Sequence, residues 1–84
     1  MSYTVRLSTC GNIDKGQNPY EPMYGVPSYT LKCQTIDECI KEVREYIEYY
    51  YIGGGNWTGG QVYYDNGNLI GRIYYNGRFI QQND

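Results

Sequence analysis

The chain contains no histidine. The residue that most often serves as general base, proton shuttle and metal ligand is therefore missing. The three cysteines, Cys10, Cys33 and Cys39, are odd in number and form no CxxC pair, so no zinc site can be assembled from the usual ligands. No Ser or Cys has an activating neighbour in sequence, and catalysis would fall to Tyr, Asp and Glu alone. The expectation is a protein that is not an enzyme and holds no cofactor and no metal. Basic residues are also scarce: seven Lys and Arg stand against nine Asp and Glu, spread without a run, for a net charge of −2. That excludes the electrostatic footprint of direct duplex DNA binding. The acidity is too mild and too mixed for a mimic of nucleic acid. No apolar stretch approaches the roughly 18 residues of a membrane span, and residues 1–7 have neither the basic nor the apolar region of a secretory leader. Unpaired thiols suit a reducing compartment, so the expectation is a soluble, cytoplasmic protein.

What the chain has in excess is tyrosine: twelve, with one Trp, one Phe and three Leu. Tyrosine buries a large ring while keeping its hydroxyl paired or wet, which suits half-buried positions and interfaces. It also suits the pleated surface of a sheet. Eighty-four residues support one core, hence one domain over 1–84, and that core is too small to hide every ring.

Tyr3 to Ser8 alternates apolar and polar residues as a half-buried strand does, and Ser28 to Cys33 does so again. Between them, Cys10 to Pro27 is a long connection punctuated by glycines and prolines. Connections of this length are often functional, and this one carries Tyr20, Met23 and Tyr24, side chains that either pin the loop or meet a partner. Thr35 followed by Glu38 is a capping box. It precedes apolar positions Ile36, Cys39, Ile40, Val43, Ile47 and Tyr50 at helical spacing, and Gly53, Gly54 and Gly55 are expected to stop the helix. Lys41, Arg44, Glu45 and Glu48 read as its solvated face. Gln61–Asp65, Asn68–Tyr75 and Arg78–Gln81 then read as strands joined by Asn66-Gly67 and Asn76-Gly77. The fold class expected is α+β: one helix packed on an antiparallel sheet of about five strands, β-β-α-β-β-β in sequence.

If each Asn-Gly pair is a two-residue loop, Tyr64 faces Leu69 and Tyr74 faces Phe79, and directly opposed residues share a face. One face then holds Val62, Tyr64, Leu69, Gly71, Ile73 and Ile80 and serves as the floor for the helix. The other holds Tyr63, Ile70, Tyr74 and Phe79 around Arg72, a composition that matches binding hot spots. This is the candidate partner-binding site, with Tyr20, Tyr24 and Trp57 as further candidates. In the competing arrangement the faces are exchanged or the 10–27 loop covers the outer sheet. The exposed aromatic set would then be the tyrosines at the helix end with Trp57.

The segment Gly53 to Gly60 lacks the GK[ST] ending of a phosphate loop and follows a helix instead of preceding one. Trp57 within it reads as a loop anchor or as a stacking residue for a base.

The capped helix Thr35 to Ile47, with Trp57-Thr58-Gly59-Gly60 through Tyr75-Asn76-Gly77-Arg78, covers somewhat under half the chain. In architecture it resembles the small anti-defence proteins of phages, anti-CRISPR inhibitors in particular. The resemblance implies stoichiometric binding to a host immunity complex in the host cytoplasm and carries over no catalytic residue. Two rivals stand beside it: sequestration of a small nucleotide-like signal by Trp57 and the tyrosines, and a homodimer that pairs outer sheet faces.

Overall fold

A computed structural model describes residues 2–82. Five strands, β1 (Tyr3–Leu7), β2 (Tyr29–Cys33), β3 (Gln61–Tyr64), β4 (Leu69–Ile73) and β5 (Phe79–Gln81), form one antiparallel sheet in the order β2-β1-β3-β4-β5. The single helix α1 (Ile36–Tyr49) packs over β1 and β2. The element order is the β-β-α-β-β-β expected. β1 lies inside the sheet, because β3 adds to its second side: Val5 stands opposite Leu31 on one side and Val62 on the other. The core is the alternating apolar set facing the helix. Val5, Leu7, Val62 and Ile73 from the sheet are fully buried against Cys39, Val43, Tyr46 and Ile47.

The helix begins as its capping residues require. Thr35 Oγ1 accepts the Glu38 N–H at 3.0 Å, and the Glu38 carboxylate reaches back to the Gln34 N–H at 3.2 Å. Its C-terminus departs from expectation, because the glycines are not what ends it. Tyr51 takes the left-handed conformation at φ 52°, its N–H bonds the Glu48 carbonyl, and the Ile52 N–H bonds the Ile47 carbonyl at 3.0 Å. This is a Schellman stop with a tyrosine in the glycine position, closed by the buried pair Ile47 and Ile52.

Both hairpins differ from the two-residue loops expected. Asn66 and Asn76 keep negative φ, and Gly67 and Gly77 alone turn left-handed at φ 87°. Tyr64 pairs with Asn68 and Tyr74 with Arg78, so each loop has three residues: Asp65-Asn66-Gly67 and Tyr75-Asn76-Gly77. Each Asn instead accepts the N–H two residues on, at 3.0 Å, an Asx turn that a primed turn would forgo. In the first hairpin a bulge beside Tyr63 absorbs the extra residue, so Val62 still faces Gly71 and Gln61 still faces Arg72. In the second nothing absorbs it. Ile73 faces Phe79 and Arg72 faces Ile80, and every side chain of β5 lies on the face opposite to the expected one.

The 10–27 connection is tied down by polar contacts and two apolar side chains. Thr9 Oγ1 accepts the Met23 N–H, Gly11 N–H bonds the Glu21 carbonyl, and buried Asn56 donates to the Cys10 carbonyl and to Gln17 Oε1. Met23 and Val26 pack on the core, while Tyr20 and Tyr24 point away from it. Among the described residues no helix is long and apolar enough to cross a membrane.

Candidate functional site

The outer sheet face is built by alternation. Val5, Val62 and Ile73 turn to the helix, so Thr4, Arg6, Gln61, Tyr63 and Arg72 turn away from it. Thr4 pairs with Lys32 and Arg6 with Thr30, which makes the β1–β2 half of this face polar and basic. The β3–β5 half sets apolar side chains beside Gln61 and Arg72. Tyr63 stands there opposite Leu69, and Arg72 opposite Ile80, with Leu69 and Ile80 both exposed.

Arg72 is the organising residue. Its Nε–H donates to the Gly59 carbonyl at 2.9 Å, and its guanidinium carbon lies 4.8 Å from the centre of the Tyr74 ring. The side chain is half-buried and held from two directions, and Tyr74, 40% exposed, is held in turn by the cation–π contact. A planar guanidinium already fixed in place loses little freedom when a partner docks.

Of the eight candidates named from the sequence, the structure brings Tyr63, Arg72 and Tyr74 together on this face. Ile70 is drawn away from it: at the bulge Leu69 moves opposite Tyr63, and Ile70 packs on the core. Phe79 is not on it either. The shifted second hairpin turns Phe79 toward the helix side, where its ring rests on Gly71, and Ile80 takes its place outside. Trp57 is a core residue, 6% exposed, with Nε1–H donating to the Ile73 carbonyl at 3.1 Å and its ring 6.0 Å from that of Tyr46. It therefore offers no stacking platform for a base. Tyr20 and Tyr24 are fully exposed on the long connection. Tyr20 lines a hollow of about 560 Å³ with Pro22, Arg6 and Gln61 at the β1 end of the outer face, and Tyr24 lies in a separate one with Gln17 and Met23. The connection thus borders the outer sheet at one end and leaves Tyr74 and Ile80 uncovered.

Leu69 and Ile80 were missed because both follow from a one-residue difference in turn length. Asp65 and Tyr75, the residues before each Asn-Gly, complete the three-residue loops, and nothing local in the sequence distinguishes these from two-residue loops.

All three cysteines are free thiols. Cys33 and Cys39 are buried side by side, and burial pushes both above the ordinary thiol value, Cys39 furthest. Cys10 is half-buried, its Sγ turned to the Gly55 carbonyl. Among the described residues no group of three His, Cys, Asp or Glu is placed to hold a metal ion.

No protein-family model, curated protein or solved structure matches the chain.

Proposed function

We propose that this is a non-catalytic binding protein that docks a protein partner on the outer face of β3–β5. The observation that carries the reading is Arg72, fixed between the Gly59 carbonyl and the Tyr74 ring, with the apolar side chains of Tyr63, Leu69 and Ile80 on the same half-sheet. Arg and Tyr are the side chains that dominate binding energy in protein interfaces, and rigid anchors convert a small area into affinity. What supports the partner class is the resemblance read from the sequence, one capped helix and a small meander with surplus aromatics, to phage inhibitors of CRISPR-type immunity complexes. On this reading the protein acts in the host cytoplasm by occupying a working surface of such a complex.

The test pairs binding to purified CRISPR-type effector complexes with protection of phage in immune cells, for wild type, Tyr74→Ala/Ile80→Ser and a Tyr24→Ala control. Tyr74 and Ile80 are the better probes, because Arg72 also ties the sheet to Gly59 and its loss costs stability. The expected result is binding and protection by wild type and Tyr24→Ala, both lost in the double variant while it still melts cooperatively as a folded protein. A dimer in solution that dissociates in the double variant, with no effector bound, would assign the face to self-association.

A further inference from the structure

On the opposite side of the sheet, the second half of α1 passes over the first residue of β2. Tyr46, Tyr49 and Tyr50 meet Tyr29 there. The Tyr46 ring lies 5.9 Å from Tyr29 and 5.1 Å from Tyr50, both edge to face, and Tyr50 lies 4.7 Å from Tyr49 in the same manner. With Glu42 and Glu45 these four rings line a cleft of about 300 Å³. The placement follows from helical spacing, since positions 42, 45, 46 and 49 fall on one side of the helix. Tyr29 comes to the same side because it pairs with the buried Leu7.

Packing accounts for only part of this cluster. Tyr46 is buried, and its hydroxyl is bonded to the Pro27 carbonyl, which fixes the ring. Tyr49 is 75% exposed and Tyr29 43%, too much surface for rings whose task is to fill a core. The only charged side chains in the lining are the two carboxylates. Tyrosine rings carry negative potential on their faces, so the rings and the carboxylates favour the same kind of guest. The Tyr29 hydroxyl is pushed above its ordinary value by burial first, then by Tyr50 and by the negative charge of Glu42, which locates that potential inside the cleft. Tyr29 also begins a strand at the edge of the sheet, whose outer side pairs with no other strand of the sheet, so an extended chain can add alongside it.

We propose that this cleft is a binding site for a guanidinium or alkylammonium group carried by a basic peptide segment that runs along β2. The site is separate from the outer face, and its test does not depend on what binds there. The cation head sits against the tyrosine rings with Glu42 and Glu45 balancing its charge, and the peptide backbone pairs with β2.

The experiment is an NMR titration of the intact protein with three blocked single residues, N-acetyl methylamides of arginine, trimethyllysine and norleucine, and with a five-residue peptide carrying one central arginine. The two cations are expected to move the ring signals of Tyr29, Tyr49 and Tyr50, and norleucine, of similar bulk but neutral, to leave them. Tyr49→Ala and Glu45→Gln both change exposed side chains and are each expected to weaken the cations about tenfold, with Trp57 signals unmoved to show an intact core. The peptide is expected to bind more tightly than blocked arginine and to move the β2 amide signals. Absent shifts, or equal shifts with norleucine, would overturn the cation site. Equal affinity for peptide and blocked arginine, with silent β2 amides, would overturn the peptide and leave a free organic cation as the guest.

Discussion

The hydroxyl of Tyr46 donates to the carbonyl oxygen of Pro27 at 2.7 Å, joining the buried face of α1 to the end of the long connection just before β2. Tyr46 is 3% exposed, its ring touches those of Tyr29, Tyr50 and Trp57, and its ionisation is pushed up to about 12, by burial first and then by Tyr29 and Tyr50. The bond and the buried ring give the protein an alkaline limit.

The unfolded chain releases the Tyr46 proton near pH 10, and the folded protein holds it to about 12. The folded state therefore binds more protons between those values, and its advantage is complete below pH 10 and is lost as pH rises through 12. Tyr29, Cys33 and Cys39, all raised by burial, act in the same direction. Urea unfolding of Tyr46→Phe should show a loss of about 1 kcal/mol at pH 7, from the orphaned Pro27 carbonyl. It should also show a shallower decline than wild type above pH 10. Parallel declines would mean that Tyr46 does not set the limit.

Tyr51 holds a left-handed backbone that an L side chain adopts at a cost of roughly 1–2 kcal/mol, and its ring is 92% exposed. Tyr51→Gly should remove the strain with no packing loss. Against the extra freedom it gives the unfolded chain, a net gain of about 0.5–1 kcal/mol and a Tm higher by a few degrees are expected in a thermal melt.

A side-chain carbon at Gly71 would lie 2.6 Å from the Ile80 carbonyl oxygen and 2.7 Å from the Phe79 ring, whereas one at Gly67 would meet nothing within 4 Å. Gly71→Ala should therefore destabilise by about 2–3 kcal/mol, because backbone on β5 must move. Gly67→Ala should cost only about 1 kcal/mol for its positive φ. Denaturant midpoints of the two variants give the comparison directly, and equal losses would place Phe79 elsewhere than over Gly71.

Trp57→Phe removes the N–H that satisfies the Ile73 carbonyl and leaves space in the core beside Tyr46. A loss of about 2–4 kcal/mol is expected. As the sole Trp, residue 57 should also fluoresce as a buried indole and resist quenching by iodide. Free quenching would return it to the surface.

Local patterns were legible where a single residue type leaves one physical option. The Thr35 cap, the alternation of Tyr3 to Leu7 and of Tyr29 to Cys33, and the presence of a turn at each Asn-Gly all read directly. So did the apolar helix position of Cys39, which is buried. The helix end did not, because Tyr51 occupies a conformation for which glycine is the ordinary choice, and only the buried Ile47–Ile52 contact holds it there.

What the sequence by itself determined is the element order, the core side of β1, β2 and α1, and the lack of histidine chemistry. Those follow from periodicity and composition, which act over a few residues. Tertiary structure decided which residues reached the outer face. Each hairpin loop carries one extra residue, and in the first it was absorbed by a bulge beside Tyr63, returning Arg72 to its expected partner and packing Ile70 against the core. The same extra residue passed unabsorbed through the second hairpin and exchanged Phe79 for Ile80. It also took tertiary packing to gather Tyr29 and Tyr46, 17 positions apart in sequence, into one cleft. Strand side chains alternate with a period of two, so a single residue of slip reverses a face, and no local propensity is strong enough to forbid it.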